Sequence, residues 1–260
     1  MERRRRGMLA AAGAVLAFTL AAPPAGAATD TVARRGAMAQ TAADPVVIVN
    51  GTLSPQLVTE PLAARLRADG YTVRTFVLTD LGTGDIRTTA RDLATFVAQV
   101  RTETGAARVD LIGHSQGGLV ERQFVKTEGG AAVVDSLVML GSPNHGTTVA
   151  SLVEMFAGGD CLGFVACQQM ATSSPYVQAL NAGDDTIGSV RYTSIYTRYD
   201  ELATPYTTSR LDDGATNVLV QSQCPLRVVG HLGLILDGTV YDGIRDALRG
   251  GPVRLDCWAS

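Results

Sequence analysis

Val109-Asp110-Leu111-Ile112-Gly113-His114-Ser115-Gln116-Gly117-Gly118 carries one serine between two different kinds of local order. Val109 to Ile112 is a short apolar run that reads as a buried strand, and Gly117 to Thr127 reads as a helix. The residues between them fit the pattern Gly-x-Ser-x-Gly, which needs a strand directly before it and a helix directly after it. In such an elbow the serine takes a strained backbone conformation and presents its hydroxyl at the end of the sheet. Gly113 and Gly117 keep Cβ atoms out of the space where strand and helix close on each other. A plain glycine-rich turn would explain the glycines but would leave Ser115 without a purpose.

Outward from this point the chain alternates. Val46-Val47-Ile48-Val49 is a continuous β-branched run, as expected of a strand covered on both faces. Thr59-Glu60-Pro61 predicts a helix start, and Gly70 its end. A strand over 71–78, a helix over 86–100, strands over 133–140, 190–196 and 218–220, and a last helix over 239–248 complete the pattern. Alternating strands and helices imply right-handed crossovers onto a mostly parallel sheet with helices on both faces, an α/β fold. Residues 144–188 break the rhythm and predict a cap- or lid-like insertion, either covering substrate or ornamental.

A serine hydroxyl is a weak nucleophile until a base takes its proton. The chain has three histidines, so the base follows by elimination. His114 adjoins Ser115 and cannot turn back onto its hydroxyl. His145 comes too early for the Ser…Asp…His order of this kind of sheet. His231 remains, between the last strand and the last helix. The acid should follow a strand between them, which favours Asp200 over its neighbour Glu201 and over Asp212 and Asp213 in a polar turn. Oxyanion donors are expected at the backbone N–H of Gln116 and of Thr52, in the Asn50-Gly51-Thr52-Leu53 turn, with the Thr52 hydroxyl as a further candidate. Leu53, Val149, Leu152, Val153, Phe156, Leu232, Leu234 and Ile235 supply apolar material for an acyl pocket, or simply core.

At the other end of the chain, Arg3 to Arg6, the apolar stretch from Met8 to Ala22 and Ala25-Gly26-Ala27 have the order of a signal peptide. The apolar run is shorter than the ~20 residues that span a bilayer. The expected layout is a leader over 1–27, a loose arm over 28–44 and one catalytic domain over 45–260, secreted after cleavage and monomeric. A net charge of −3 with no basic stripe gives no reason to expect nucleic acid. Four cysteines in an exported chain predict disulfides, most simply Cys161–Cys167 and Cys224–Cys257. Their spacing does not suit a metal site.

These residues resemble a known family. Val46 to Thr52 (V-V-I-V-N-G-T), Leu111 to Gly118 (L-I-G-H-S-Q-G-G), Met139 to Thr147 (M-L-G-S-P-N-H-G-T), Ser194 to Pro205 and Gly230 to Leu236 are similar in order and spacing to the small secreted triacylglycerol lipases of bacteria, within the α/β-hydrolase superfamily. Those lipases usually carry His-Gly at Asn50-Gly51. The yeast lipase B type also departs there and keeps a Gly-Thr and a Ser-Gln like Gly51-Thr52 and Ser115-Gln116. The resemblance implies an α/β-hydrolase fold with Ser115 as nucleophile, Asp200 as acid and His231 as base. It also implies hydrolysis of acyl esters through an acyl-enzyme without an organic cofactor, on a lipid or ester substrate at an oil–water interface. A short-chain esterase, a polyester depolymerase or an acyltransferase would use the same residues, and an inactive binding protein could keep the fold without the chemistry.

Overall fold

The computed structural model describes residues 43–148 and 161–260. The expected leader, the expected arm up to Ala42 and four of the apolar candidates, Val149, Leu152, Val153 and Phe156, lie outside the described residues. Six strands form one sheet: β1 Val46–Val49, β2 Val73–Phe76, β3 Val109–His114, β4 Val134–Leu140, β5 Arg191–Tyr196 and β6 Thr216–Leu219. Their spatial order is β2-β1-β3-β4-β5-β6, and every neighbouring pair is parallel. The crossover direction reverses between β1 and β3, so this fold has its ligand crevice at the carboxyl ends of those two strands.

Each strand sorts its side chains by the period of two. Val47 and Val49 face one core, with Leu93 and Val97 of α2 (Ile86–Thr104) and Leu119 and Phe124 of α3 (Gln116–Thr127). Val46 and Ile48 face the other, with Leu62 and Leu66 of α1 (Gln56–Ala68). That covering on both faces is what the unbroken apolar run of β1 announced. Burying each such side chain stabilises by about 1.5–3 kcal/mol.

The start of α1 departs from expectation. The helix begins at Gln56, one turn before Thr59, and takes Pro61 into its interior. Thr59 is buried, and its hydroxyl donates to Asn50 Oδ1 at 2.8 Å, so it braces the loop after β1 instead of capping a helix. Pro61 sits within the first two turns, where a missing N–H costs one intrahelical bond at most.

Helices α4 (Val165–Met170) and α5 (Pro175–Asn181) belong to the 144–188 insertion. Ala166, Cys167, Met170, Tyr176, Val177 and Leu180 pack into the core on the α2–α3 side. Gln169 ties this part to the start of α2, accepting from the Ile86 N–H and donating to Asp85 Oδ1, both at 2.8 Å. The described part of the insertion is thus anchored to the core on this side.

Beyond β6 come three further helices, α6 (Val220–Gln223), α7 (Gly233–Leu236) and α8 (Gly238–Arg249). Asp237 caps α8 by accepting from the Val240 N–H at 3.1 Å, and Val240, Ile244 and Leu248 face the second core. Leu234 and Ile235, candidates for an acyl pocket, join that core too; the short α7 turns them inward against the sheet. The sulfurs of Cys161 and Cys167 lie 2.01 Å apart and those of Cys224 and Cys257 1.96 Å apart, the pairing expected from their order. Among the described residues no helix is long and apolar enough to cross a membrane.

Candidate active site

Ser115 stands between β3 and α3 with φ 56° and ψ −125°, a conformation that L-residues rarely adopt. The packing around it explains its glycines. A Cβ on Gly117 would collide with the Val49 carbonyl and lie 2.7 Å from the Asn50 carbonyl, and one on Gly113 would lie 2.6 Å from the Gly118 nitrogen. The Ser115 N–H donates to the Leu140 carbonyl at 2.9 Å, which continues the β3–β4 ladder through the elbow.

The imidazole of His231 lies against Asp200, with Nδ1 at 2.9 Å from both carboxylate oxygens. Nε2 of the same ring is buried and has no hydrogen-bond partner among the described residues. Asp200 is itself held, since Oδ1 accepts from the N–H groups of Leu202 at 2.9 Å and Ala203 at 2.7 Å. Glu201 takes a different place: its carboxylate accepts the backbone N–H of His231 at 3.0 Å and so holds the loop, not the ring. Asp212 is exposed on the surface, and Asp213 accepts from the Asp185 N–H at 3.1 Å.

Ser115 and His231 share a small cleft of about 40 Å³ with Gly51, Thr52, Ser54, His114, Leu202 and Leu232. A wider concavity of about 350 Å³ lies elsewhere, between residues 224–227 and 257–258. Volume alone does not locate chemistry, and the strained serine and the unpartnered imidazole nitrogen are both in the smaller cleft. Gln116 is the first residue of α3, so its N–H has no intrahelical acceptor. The Thr52 hydroxyl donates to the side-chain Oε1 of Gln116 at 2.5 Å. It joins the two candidate donor residues.

Several contacts at this site gave no signal in the sequence. Asn50 is fully buried and spans its own turn, donating from Nδ2 to the Ser54 carbonyl at 2.9 Å while Thr59 donates to its Oδ1. His114 Nε2 lies 3.1 Å from the His231 carbonyl, and the two rings are 4.7 Å apart. Burial, and then the neighbouring His231, pulls the His114 imidazole down to about 3, so it is neutral and Nε2–H donates. Gly141, with φ 58°, lies against the acid–base pair; a Cβ there would be 2.9 Å from Asp200 Oδ2 and 3.3 Å from His231 Nδ1. The Thr197 hydroxyl donates to the Val229 carbonyl at 2.8 Å, which ties the acid loop to the base loop.

His145, rejected as the base, lies away from the cleft with Nε2 3.5 Å from Asp185 Oδ2. Asp185 also pairs with the buried Arg122 at 3.0 Å. Burial raises the Asp185 carboxyl, but the bonds from His145 and the Asp212 N–H, with the Arg122 charge, outweigh it and hold the group at about 2.

The model of the family described as "Lipase (class 2)" matches residues 43–237. A triacylglycerol lipase of Burkholderia plantarii is 30% identical over 144 residues, covering 53% of this chain and 38% of that protein. A triacylglycerol lipase of Pseudarthrobacter phenanthrenivorans is 40% identical over 62 residues, covering 24% and 19%. The chain thus spans well under half the length of these two relatives. Among solved structures, lipase B of Aspergillus fumigatus superposes with a TM-score of 0.73 at 23% identity, covering 82% of this chain and 54% of that one. The mature form of a Bacillus licheniformis lipase superposes with a TM-score of 0.63 at 18% identity, covering 80% and 93%. At these identities the superpositions speak for the α/β-hydrolase fold alone. The family match covers most of the chain, from the residues before β1 to the cap of α8, and the chain belongs to the class 2 lipase family.

Proposed function

We propose that this chain is a secreted serine ester hydrolase, a lipase that cleaves acylglycerol esters through an acyl-enzyme, with Ser115, His231 and Asp200 as its triad. The observation that carries the reading is the His231 ring, clamped by Asp200 on one nitrogen with the other unpartnered in the cleft that Ser115 lines. His231 Nε2 accepts the Ser115 proton as Oγ bonds to the ester carbonyl carbon. The oxyanion is held by the N–H groups of Thr52 and Gln116, each donor worth about 10²–10³ in kcat. Asp200 fixes the tautomer and stabilises the imidazolium, which gives its proton to the departing alcohol. Water, deprotonated by His231, then attacks the acyl carbon, the imidazolium returns the proton to Ser115 Oγ as the ester breaks, and the fatty acid leaves. The triacylglycerol lipases among the relatives support the substrate class.

Initial rates on p-nitrophenyl esters from acetate to palmitate, with tributyrin and triolein emulsions, test this reading. Wild type should favour long chains and emulsions, and Ser115→Ala should lose on the order of 10⁶ in kcat. Cleavage of short soluble esters alone would reduce the enzyme to an esterase. Equal rates for wild type and variant would remove the nucleophile assignment.

A further inference from the structure

Asp200 clamps the ring of His231, but the backbone of that residue is held as well. Glu201 accepts the His231 N–H at 3.0 Å. The His231 carbonyl lies 3.1 Å from His114 Nε2 and also accepts the Leu234 N–H, at the longer distance of 3.3 Å. A carbonyl can only accept, so His114 carries its proton on Nε2 and donates. Its Nδ1 is then a bare lone pair, buried and without a hydrogen-bond partner among the described residues.

His114 reaches this carbonyl from the strand that carries the nucleophile, since it is the last residue of β3 and directly precedes Ser115. It is 3% exposed, and its ring packs against that of His231 with 4.7 Å between centroids. The turn after β1 comes as close on another side: a Cβ on Gly51 would lie 3.1 Å from both His114 Nδ1 and Ser115 Cβ. One side chain thus joins the elbow, the turn that carries Thr52 and the loop that carries His231. Of the two imidazoles only His231 has a carboxylate against it. A proton arriving at the pair settles there, and His114 stays a neutral donor.

We propose that His114 is a positioning residue for the base: its Nε2–H holds the His231 backbone to the nucleophile's strand and so sets where the His231 ring stands. This rests on the triad reading for its purpose but can be measured without turnover. Gln at this position reaches about as far as Nε2 and keeps an N–H donor, whereas Met has nearly the same length and none. His114→Gln and His114→Met therefore lose the same ring and differ in the donor. On p-nitrophenyl acetate, kcat of His114→Met should fall at least about tenfold below that of His114→Gln, with the same KM in both. In proton NMR the His231 Nδ1–H signal, held by Asp200, should stay sharp in wild type and His114→Gln and broaden in His114→Met. In ¹⁵N-labelled wild type, His114 should be the neutral Nε2–H tautomer from about pH 5 to about pH 9.

Equal kcat and equal His231 signals in the two variants would overturn the proposal, because the donor would then not matter. So would an Nδ1–H tautomer or a charged ring at His114 in wild type. Should His114→Met fail to fold, the wild-type tautomer and the His114→Gln signal decide in its place: a broadened His231 signal in folded His114→Gln would equally overturn it. Signals that behave as expected in a protein that cleaves no ester would uphold the positioning and defeat the hydrolase reading, so the two failures are distinct.

Discussion

Ser115 keeps a positive φ that costs on the order of 1–3 kcal/mol, and the surrounding bonds from β4 and the close approach of Gly117 hold it there. Its neighbours divide the work among themselves. Asp200 faces the His231 ring and Glu201 the His231 backbone, two adjacent carboxylates with separate targets. Asp200→Asn should therefore lower kcat by about 10⁴ with little change in KM, because the imidazole loses its tautomer and its counter-charge. Glu201→Gln should cost far less, since a neutral oxygen can still accept the N–H. Steady-state kinetics of the two variants on one soluble ester checks this, and a Glu201 effect as large as that of Asp200 would reverse the assignment. Ser115, Asp200 and His231 could be proposed from the sequence because such chemistry requires a set order along the chain, and Asp200 and His231 do lie against each other. The bonds of His114 to the His231 carbonyl and of Asn50 to Ser54 could not, because each joins residues by shape and not by pattern.

At the level of elements, β1, β3 and β4 could be read almost to the residue, since strands buried on both faces leave long apolar runs. The start of α1 could not. Thr59 and Pro61 imitate a capped helix start, but the Asn50 side chain claims the Thr59 hydroxyl and the helix extends a turn further back. Strand β3 also buries a carboxyl. Asp110 accepts from the Ser136 N–H at 3.0 Å, and burial, with Asp44 and Asp135 nearby, pushes its group up to about 7. Its folded value lies above the unfolded one, so the folded state binds this proton more tightly. The resulting stability is fully present below about pH 4 and lost as pH rises towards 7. Asp110→Asn should escape that loss. Its stability relative to wild type should grow between pH 4.5 and 7.5, by at most about 4 kcal/mol. Urea melts of both proteins at the two pH values measure the difference, and parallel behaviour would mean that Asp110 ionises freely.

For the molecule as a whole, the alternation of strands and helices foretold a parallel sheet, and the strand order puts the elbow and the Asn50–Leu53 turn side by side at its switch point. The described part of the 144–188 insertion packs into the core, which its apolar residues, lacking a strong period, did not announce. The Cys161–Cys167 pair closes a loop within this insertion, and Cys224–Cys257 ties the 256–259 segment to the body. Peptide mapping of exported, non-reduced protein should recover Cys161–Cys167 and Cys224–Cys257 with an N-terminus at Ala28; free thiols, crossed pairs or an intact leader would contradict the export reading. The Cys224–Cys257 bridge closes 33 residues, so Cys224→Ser/Cys257→Ser should lose about 3–4 kcal/mol of stability.

The assignment of Ser115 as an activated nucleophile is tested most directly by reaction with a fluorophosphonate, followed by mass mapping of the labelled peptide. The account expects one adduct, on Ser115, formed rapidly by wild type and slowed by several orders of magnitude in His231→Ala. An unlabelled Ser115, or equal labelling in His231→Ala, would contradict it.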